Sequence, residues 1–292
     1  MRLFAIYTAD GIVNGMIYAA VALALVMIWR ATRIVNYAQG AMAMFTTYIA
    51  LVVIQHGVPY WFAFAIALAA GLVLGAVTER VLVRPVESRS PLSAVILTLG
   101  VLILLEAVAP MLFGGQTQSF PAPVSNIDIL VGKTDLYFSP FALLTVGAVL
   151  LMMLVFFIVF QRTTLGLRMR AAAFNPEIAR ILGIRVGRML TLGWGLAALL
   201  GALAGMLTAP AIFLYPTNMD EVLVFGFTGA IIGGLDSPVG AVVGAVSVGL
   251  VLSYVSGYIG ADLAPLGGLV ILIAVLMVRP QGLFTFGRQR QV

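Results

Sequence analysis

Nine apolar segments separated by short polar gaps take up most of this chain, at about 11–29, 36–55, 60–83, 91–113, 139–160, 189–209, 222–235, 238–257 and 263–279. Most of them approach the ~20 residues that a helix needs to cross ~30 Å of hydrocarbon. They predict an all-α polytopic membrane protein with about 8–9 transmembrane or re-entrant helices in a single membrane-embedded domain, 1–292. Three segments make poor spans. The stretch 222–235 is short, and it runs through Gly229, Gly233 and Gly234 into Asp236-Ser237-Pro238. The next segment opens with Gly240 and Gly244, and 36–55 opens on Asn36-Tyr37-Ala38-Gln39-Gly40. Broken or re-entrant helices of this kind are tolerated at membrane depth only where protein or a water-filled cavity surrounds them. On each side of 139–160 the order is the same: a long span, a polar gap, a short or glycine-broken segment, then two more spans. The two sets start on opposite faces, as an inverted-topology repeat requires, with the substrate path expected near the interrupted segments.

The longest polar interruption inside the bundle is 161–188, QRTTLGLRMRAAAFNPEIARILGIRVGR. It predicts a short helix with its own boundaries. Asn175 can cap it, Pro176 suits the first helical position and Glu177 favours the positive end of the dipole. Gly183 supplies the stop. Ile178, Ile181 and Leu182 fall on one face, and a two-turn helix is not stable alone in water, so this face is expected to pack against something.

Charge orients the bundle. Fourteen of the sixteen basic residues fall on one side if all nine segments cross, among them Arg30, Arg33, Arg80, Arg84, Arg89, Arg279, Arg288, Arg290 and the six arginines of the island. The positive-inside rule makes that side the cytoplasm, with the N-terminus outside and the C-terminus inside. The region 161–188 is then a cytoplasmic loop and 114–138 an external one, with irregular structure and a short element expected near Ile127–Val131. Arg2 and Lys133 lie on the outer side. The start, MRLFAIYTAD, lacks the charged region and long apolar core of a signal peptide and reads as mature protein. A pI near 9.8 and a mean hydropathy of +1.12 therefore describe topology rather than a nucleic-acid footprint. The absence of cysteine excludes disulfides and thiolate metal sites.

Little in the chain points to catalysis. The only histidine, His56, sits in a turn with no second metal ligand beside it. Gly132-Lys133-Thr134 lacks the glycine that a P-loop would need at 127. No nucleophile elbow or zinc-protease motif occurs. Gly71/Gly75, Gly201/Gly205, Gly229/Gly233 and Gly240/Gly244 have the spacing that lets helices approach closely. Glu79 and Arg80 read as an ordinary solvated helix end, and Asp220 and Glu221 as dipole-stabilised residues at a helix start. Glu106 is an ionisable residue inside a span, which marks it for a pathway or an inter-helix contact. The interrupted segments and their neighbours supply the translocation-path candidates: Asn36, Gln39, Thr46, Thr47, Thr98, Glu106, Thr228 and Asp236.

Several stretches spread over nearly the whole chain resemble one family. They are Asn14-Gly15-Met16-Ile17-Tyr18-Ala19, Arg33 to Gly40, Ile96 to Gly100 through Gly114 and Phe120-Pro121, Gly166-Leu167-Arg168-Met169-Arg170-Ala171 through Ala179 to Leu182-Gly183-Ile184, Gly226 to Gly240, and Arg279-Pro280-Gln281-Gly282-Leu283-Phe284. Together they are similar to the branched-chain amino acid ABC transporter permeases of the LivH type. Gln39 departs from the usual His, Trp29-Arg30 from a Tyr-Gly pair, and Phe174-Asn175-Pro176 from a more acidic stretch. The resemblance implies an inner-membrane subunit with no ATPase site of its own and no cofactor, ATP being bound by its partners. Those partners would be a second homologous permease, two cytoplasmic ATP-binding subunits and a periplasmic substrate-binding protein. It assigns ATPase coupling to Arg168, Arg170, Asn175, Pro176, Glu177, Ile178, Arg180, Ile181, Leu182 and Gly183. Inward movement of branched-chain or related amino acids by alternating access is the expected function. The competing expectations are a passive small-solute channel of the urea or amide type and an ABC permease for urea, short amides or carboxylates.

Overall fold

The computed structural model describes residues 2–87, 91–125, 129–130, 137–279 and 282–283. Arg89, Lys133, Arg288, Arg290, Gly132-Lys133-Thr134 and Pro280, Gln281 and Phe284 of the last signature lie outside the described residues. Within the 114–138 loop, β1 (Ile129–Leu130) pairs antiparallel with β2 (Tyr137–Phe138).

Seven of the described helices are long and apolar enough to cross a membrane. They are α1 (Arg2–Thr32), α3 (Tyr60–Val77) with its continuation, α5 (Pro91–Phe113), α6 (Pro140–Arg162), α9 (Val186–Ile212), α11 (Pro238–Tyr258) and α12 (Ala264–Val278). α3 continues through a π-helical stretch, Thr78–Val83, into the single turn α4 (Arg84–Glu87). The widening sits just before Pro85, which cannot complete the bond to the carbonyl four residues back. α1 begins nine residues earlier than the apolar run suggested, because Leu3 and Phe4 extend its exposed apolar side and Phe4 stacks on Tyr254.

Two further apolar helices are shorter, and each follows a stretch of non-helical chain. α2 (Gln39–Gln55) starts beside the middle of α9, where the Gln39 amide donates to the Ala197 carbonyl. It ends beside the 114–138 loop, with Gln55 bonded to Gln118. α10 (Asp220–Gly233) starts deep in the bundle and ends beside Asp236, which bonds the end of α1. The preceding segment 213–219 starts beside the 114–138 loop, where Leu214 and Gln118 exchange backbone hydrogen bonds of 2.9 Å in both directions. The starts of the two half helices meet: a Cβ on Gly40 would lie 3.1 Å from the Met219 carbonyl oxygen.

The helix pairings are those of an inverted repeat. α1 packs on α11 as α9 packs on α3, α2 on α9 as α10 on α1, α2 on α3 as α10 on α11, and α2 on α5 as α10 on α12. α6, which joins the two halves in sequence, packs mainly on α1. Each small-residue pair read from the sequence lies at such a crossing. Gly71 and Gly75 face Ala198 and Trp194 of α9, and Gly201 and Gly205 face Gln39, Ala43 and Thr47 of α2. Gly229 and Gly233 face Gly240 and Ala245, so tightly that backbone fills the space a methyl group would need. Lipid offers helices no hydrophobic drive to associate, so close packing of this kind must supply it.

Candidate functional site: a docking face and a broken crossing

The island 161–188 forms two helices rather than one. Thr163 caps α7 (Thr164–Phe174) by accepting from the Gly166 amide at 3.2 Å. Gly166 is required there, because a Cβ would collide with the backbone of Val159 and Phe160. Asn175 then caps α8 (Pro176–Ile181), its Oδ1 accepting from the amides of Glu177 at 3.1 Å and Ile178 at 3.0 Å. Gly183 closes the turn with φ 79°, a value that suits glycine. The sequence missed α7, whose buried positions Gly166, Met169 and Ala172 recur at helical spacing.

The two helices are fastened to the bundle by small residues. Ala172 and Ala179 pack with Val186 and Leu190 at the start of α9. Their larger apolar side chains point away from the bundle: Phe174 is 91% exposed, Ile181 84% and Leu182 72%, with Ile178 about half exposed. The predicted stripe is present, and it finds no partner among the described residues. Arg168, Arg180 and Glu177 are exposed around it, and Arg170 donates to the Gln161 side-chain amide oxygen at 3.0 Å.

Beneath this face lies a polar staple that sequence reasoning assigned to solvent. Glu79 is 1% exposed. Arg84 reaches it with Nε at 3.0 Å and a terminal nitrogen at 2.8 Å. The same terminal nitrogen donates to the Gly187 carbonyl and the Thr191 hydroxyl, each at 2.6 Å. The Thr191 hydroxyl donates in turn to Glu79 at 2.8 Å. The π-helical stretch produces this geometry, since an i, i+5 pair would diverge on an ordinary α-helix. The end of α3 is thereby locked to the start of α9, directly behind α8.

The path candidates separate into three groups. Asn36, Gln39 and Thr98 come together at the start of α2. The Asn36 amide donates to Gln39 at 3.2 Å, and the Tyr37 amide to Thr98 at 3.4 Å. All three are fully or almost fully buried, as are Thr46 and Thr47, whose hydroxyls donate to backbone carbonyls one turn back. The second group surrounds the start of α10. Glu106 of α5 stands close enough to Asp220 for the two carboxyl groups to interact, and one of its carboxyl oxygens is buried without a hydrogen-bond partner. Thr228 lines a cavity of about 310 Å³ with Asp220, Glu221 and Gly268. Asp236 stands apart, at the opposite end of α10, in an ion pair with Arg33 and accepting from the Trp29 indole at 3.3 Å.

The comparisons with known proteins bear on nearly the whole chain. A family model described as "Branched-chain amino acid transport system / permease component" matches residues 7–279. The chain is 26% identical to the high-affinity branched-chain amino acid transport system permease protein LivH of Escherichia coli K12, covering 94% of this chain and 93% of that one. It is 25% identical to the probable LivH permease of Methanocaldococcus jannaschii, covering 90% and 86%. A xylose/arabinose import permease protein, XylH of Sulfolobus acidocaldarius, is 27% identical over 65% of this chain and 54% of its own.

Proposed function

The chain belongs to the family of permease components of branched-chain amino acid transport systems, and we propose that it is the membrane-spanning subunit of an ATP-driven importer. Its substrates are branched-chain or related amino acids, as the names of the relatives matched over most of their length suggest. The observation that carries this reading is the unpartnered apolar surface of Phe174, Ile181 and Leu182, presented on capped helices that are fastened to α9. A face of that kind suits the cleft of a cytoplasmic ATPase; in this reading 161–188 is cytoplasmic, and 114–138 and the N-terminus are periplasmic. The arginines on the same face favour that orientation in a bacterial inner membrane. The chain needs no cofactor; ATP is bound by two partner subunits, a second permease completes the path, and a periplasmic protein delivers the substrate.

The half helices α2 and α10 supply the path. Irregular backbone at membrane depth is costly unless it lines a route or is buried in protein. The start of α2 carries the positive end of a helix dipole, and it faces a break beside which Glu106 and Asp220 place carboxyl groups. A zwitterionic amino acid offers a complementary pair of charges. In this scheme the ATPases move α7 and α8, the Glu79–Arg84 staple passes the motion to α3 and α9, and the pivot of the two halves about α2 and α10 alternates access.

A passive solute channel remains the competing reading, since two half helices meeting in a bundle would also serve one. Uptake of labelled leucine into proteoliposomes holding the permease pair and its ATPases separates the two. The importer accumulates leucine against its gradient only with ATP and the binding protein. Equilibration that ignores ATP would establish the channel.

A further inference from the structure

At the inner end of the bundle, between α1, α6, α7 and the start of α11, lies a cavity of about 1020 Å³. Arg30, Arg33 and Arg170 line its upper wall, and Met153 and Phe157 of α6 with Val239 of α11 line its lower wall. The charges are unevenly matched. Asp236 is committed to Arg33 and the Trp29 indole. Arg30 lies over the Phe160 ring at 5.6 Å, and Arg170 donates to the uncharged Gln161 amide. Among the described residues, neither arginine has a carboxylate within ion-pair distance, although the two are close enough to repel each other. Like-charged guanidinium groups held together need an anion to offset them.

The surroundings identify the anion. Arg30 is two residues from the end of α1 and Phe160 two residues from the end of α6, so the cations sit where both spans leave the hydrocarbon. Phe157 and Val239, each about half exposed, open the lower wall toward the outer surface of the bundle, which is apolar along α6 at Leu150, Leu154 and Ile158. A soluble phosphate would use the arginines and leave this aromatic and aliphatic wall unused. A lipid uses both.

We propose that this cavity binds one anionic phospholipid of the inner leaflet, its phosphate held by Arg30 and Arg170 and its first acyl carbons lying along Met153 and Phe157. The site rests on the inward orientation of the α7–α8 face and is otherwise independent of what the protein transports. Because α7 supplies one of the two phosphate ligands, the lipid braces the docking helices against α1 and α6.

The test is native mass spectrometry of the full chain in detergent, titrated with phosphatidylglycerol or phosphatidylcholine. Phosphatidylglycerol should be retained at least ~10-fold more tightly, as two lipid-facing arginines warrant. The double variant Arg30→Gln/Arg170→Gln should erase that preference, and the surface variant Arg170→Gln alone should reduce it. Arg185→Gln, on the same face but outside the cavity, should leave it intact. Equal retention of both lipids, an equal loss in Arg185→Gln, or displacement of phosphatidylglycerol by excess inorganic phosphate would each overturn the proposal. Failure here leaves the importer reading standing, because leucine accumulation is measured separately.

Discussion

Arg84 reaches back five residues to Glu79 and grips both of its carboxylate oxygens, at 3.0 and 2.8 Å, from beyond a π-helical turn. Glu79 is buried, and the pair is completed by Gly187 and Thr191 of α9. Removing Arg84 leaves the buried Glu79 charge without its partner, which is strongly destabilising. Arg84→Gln should therefore lower the melting temperature of the purified protein sharply, and Glu79→Gln/Arg84→Gln should recover part of the loss. A melting curve for Arg84→Gln that overlays the native one would remove the staple from the account.

The cap of α8 offers a milder perturbation. Asn175→Ala deletes the acceptor of the Glu177 and Ile178 amides, a loss of ~1 kcal/mol in helix stability. Stimulated ATP hydrolysis by the assembled transporter should fall several-fold, and Asn175→Asp, which keeps the acceptor, should retain most of it. Equal activity in all three proteins would mean that α8 needs no preformed cap to dock.

The meeting of α2 and α10 predicts where transport is sensitive. Gln39→Ala removes the amide bonded to the Ala197 carbonyl and accepting from Asn36. Thr228→Val removes a hydroxyl from the cavity beside Asp220. Both should change the rate of leucine uptake while leaving the protein in the membrane. If neither alters uptake, the path lies elsewhere.

Much of this organisation is legible in the sequence. The apolar helices follow from apolar runs, and the two short ones from glycine and polar breaks at 36–40 and 229–238; 238–257, expected as a poor span, instead forms the full-length helix α11. The caps of α8 follow from Asn175, Pro176 and Gly183, whose effects are local. Contacts made across the fold are not legible in the same way. Glu79 reads as a solvated end because its partner lies five residues away, a spacing that pairs side chains only after the helix widens. Glu106 and Asp220 are separated by more than a hundred residues. Asp220 reads as a dipole-stabilised helix start, and nothing nearby in sequence announces the Glu106 carboxyl group. α7 was hidden because its buried face is built of glycine, alanine and one methionine, which give little periodic signal beside its two arginines.

The central claim is that α8 is the point at which ATP hydrolysis meets the membrane domain. Ile181 is 84% exposed at the last position of that helix, so a proline there breaks the helix end without disturbing the bundle. The most direct measurement is ATP hydrolysis stimulated by the loaded binding protein, in the reconstituted transporter carrying Ile181→Pro, with Arg180→Glu beside it. Both variants should insert and assemble in the membrane but hydrolyse ATP no faster with substrate than without. Full stimulation in both would contradict the account.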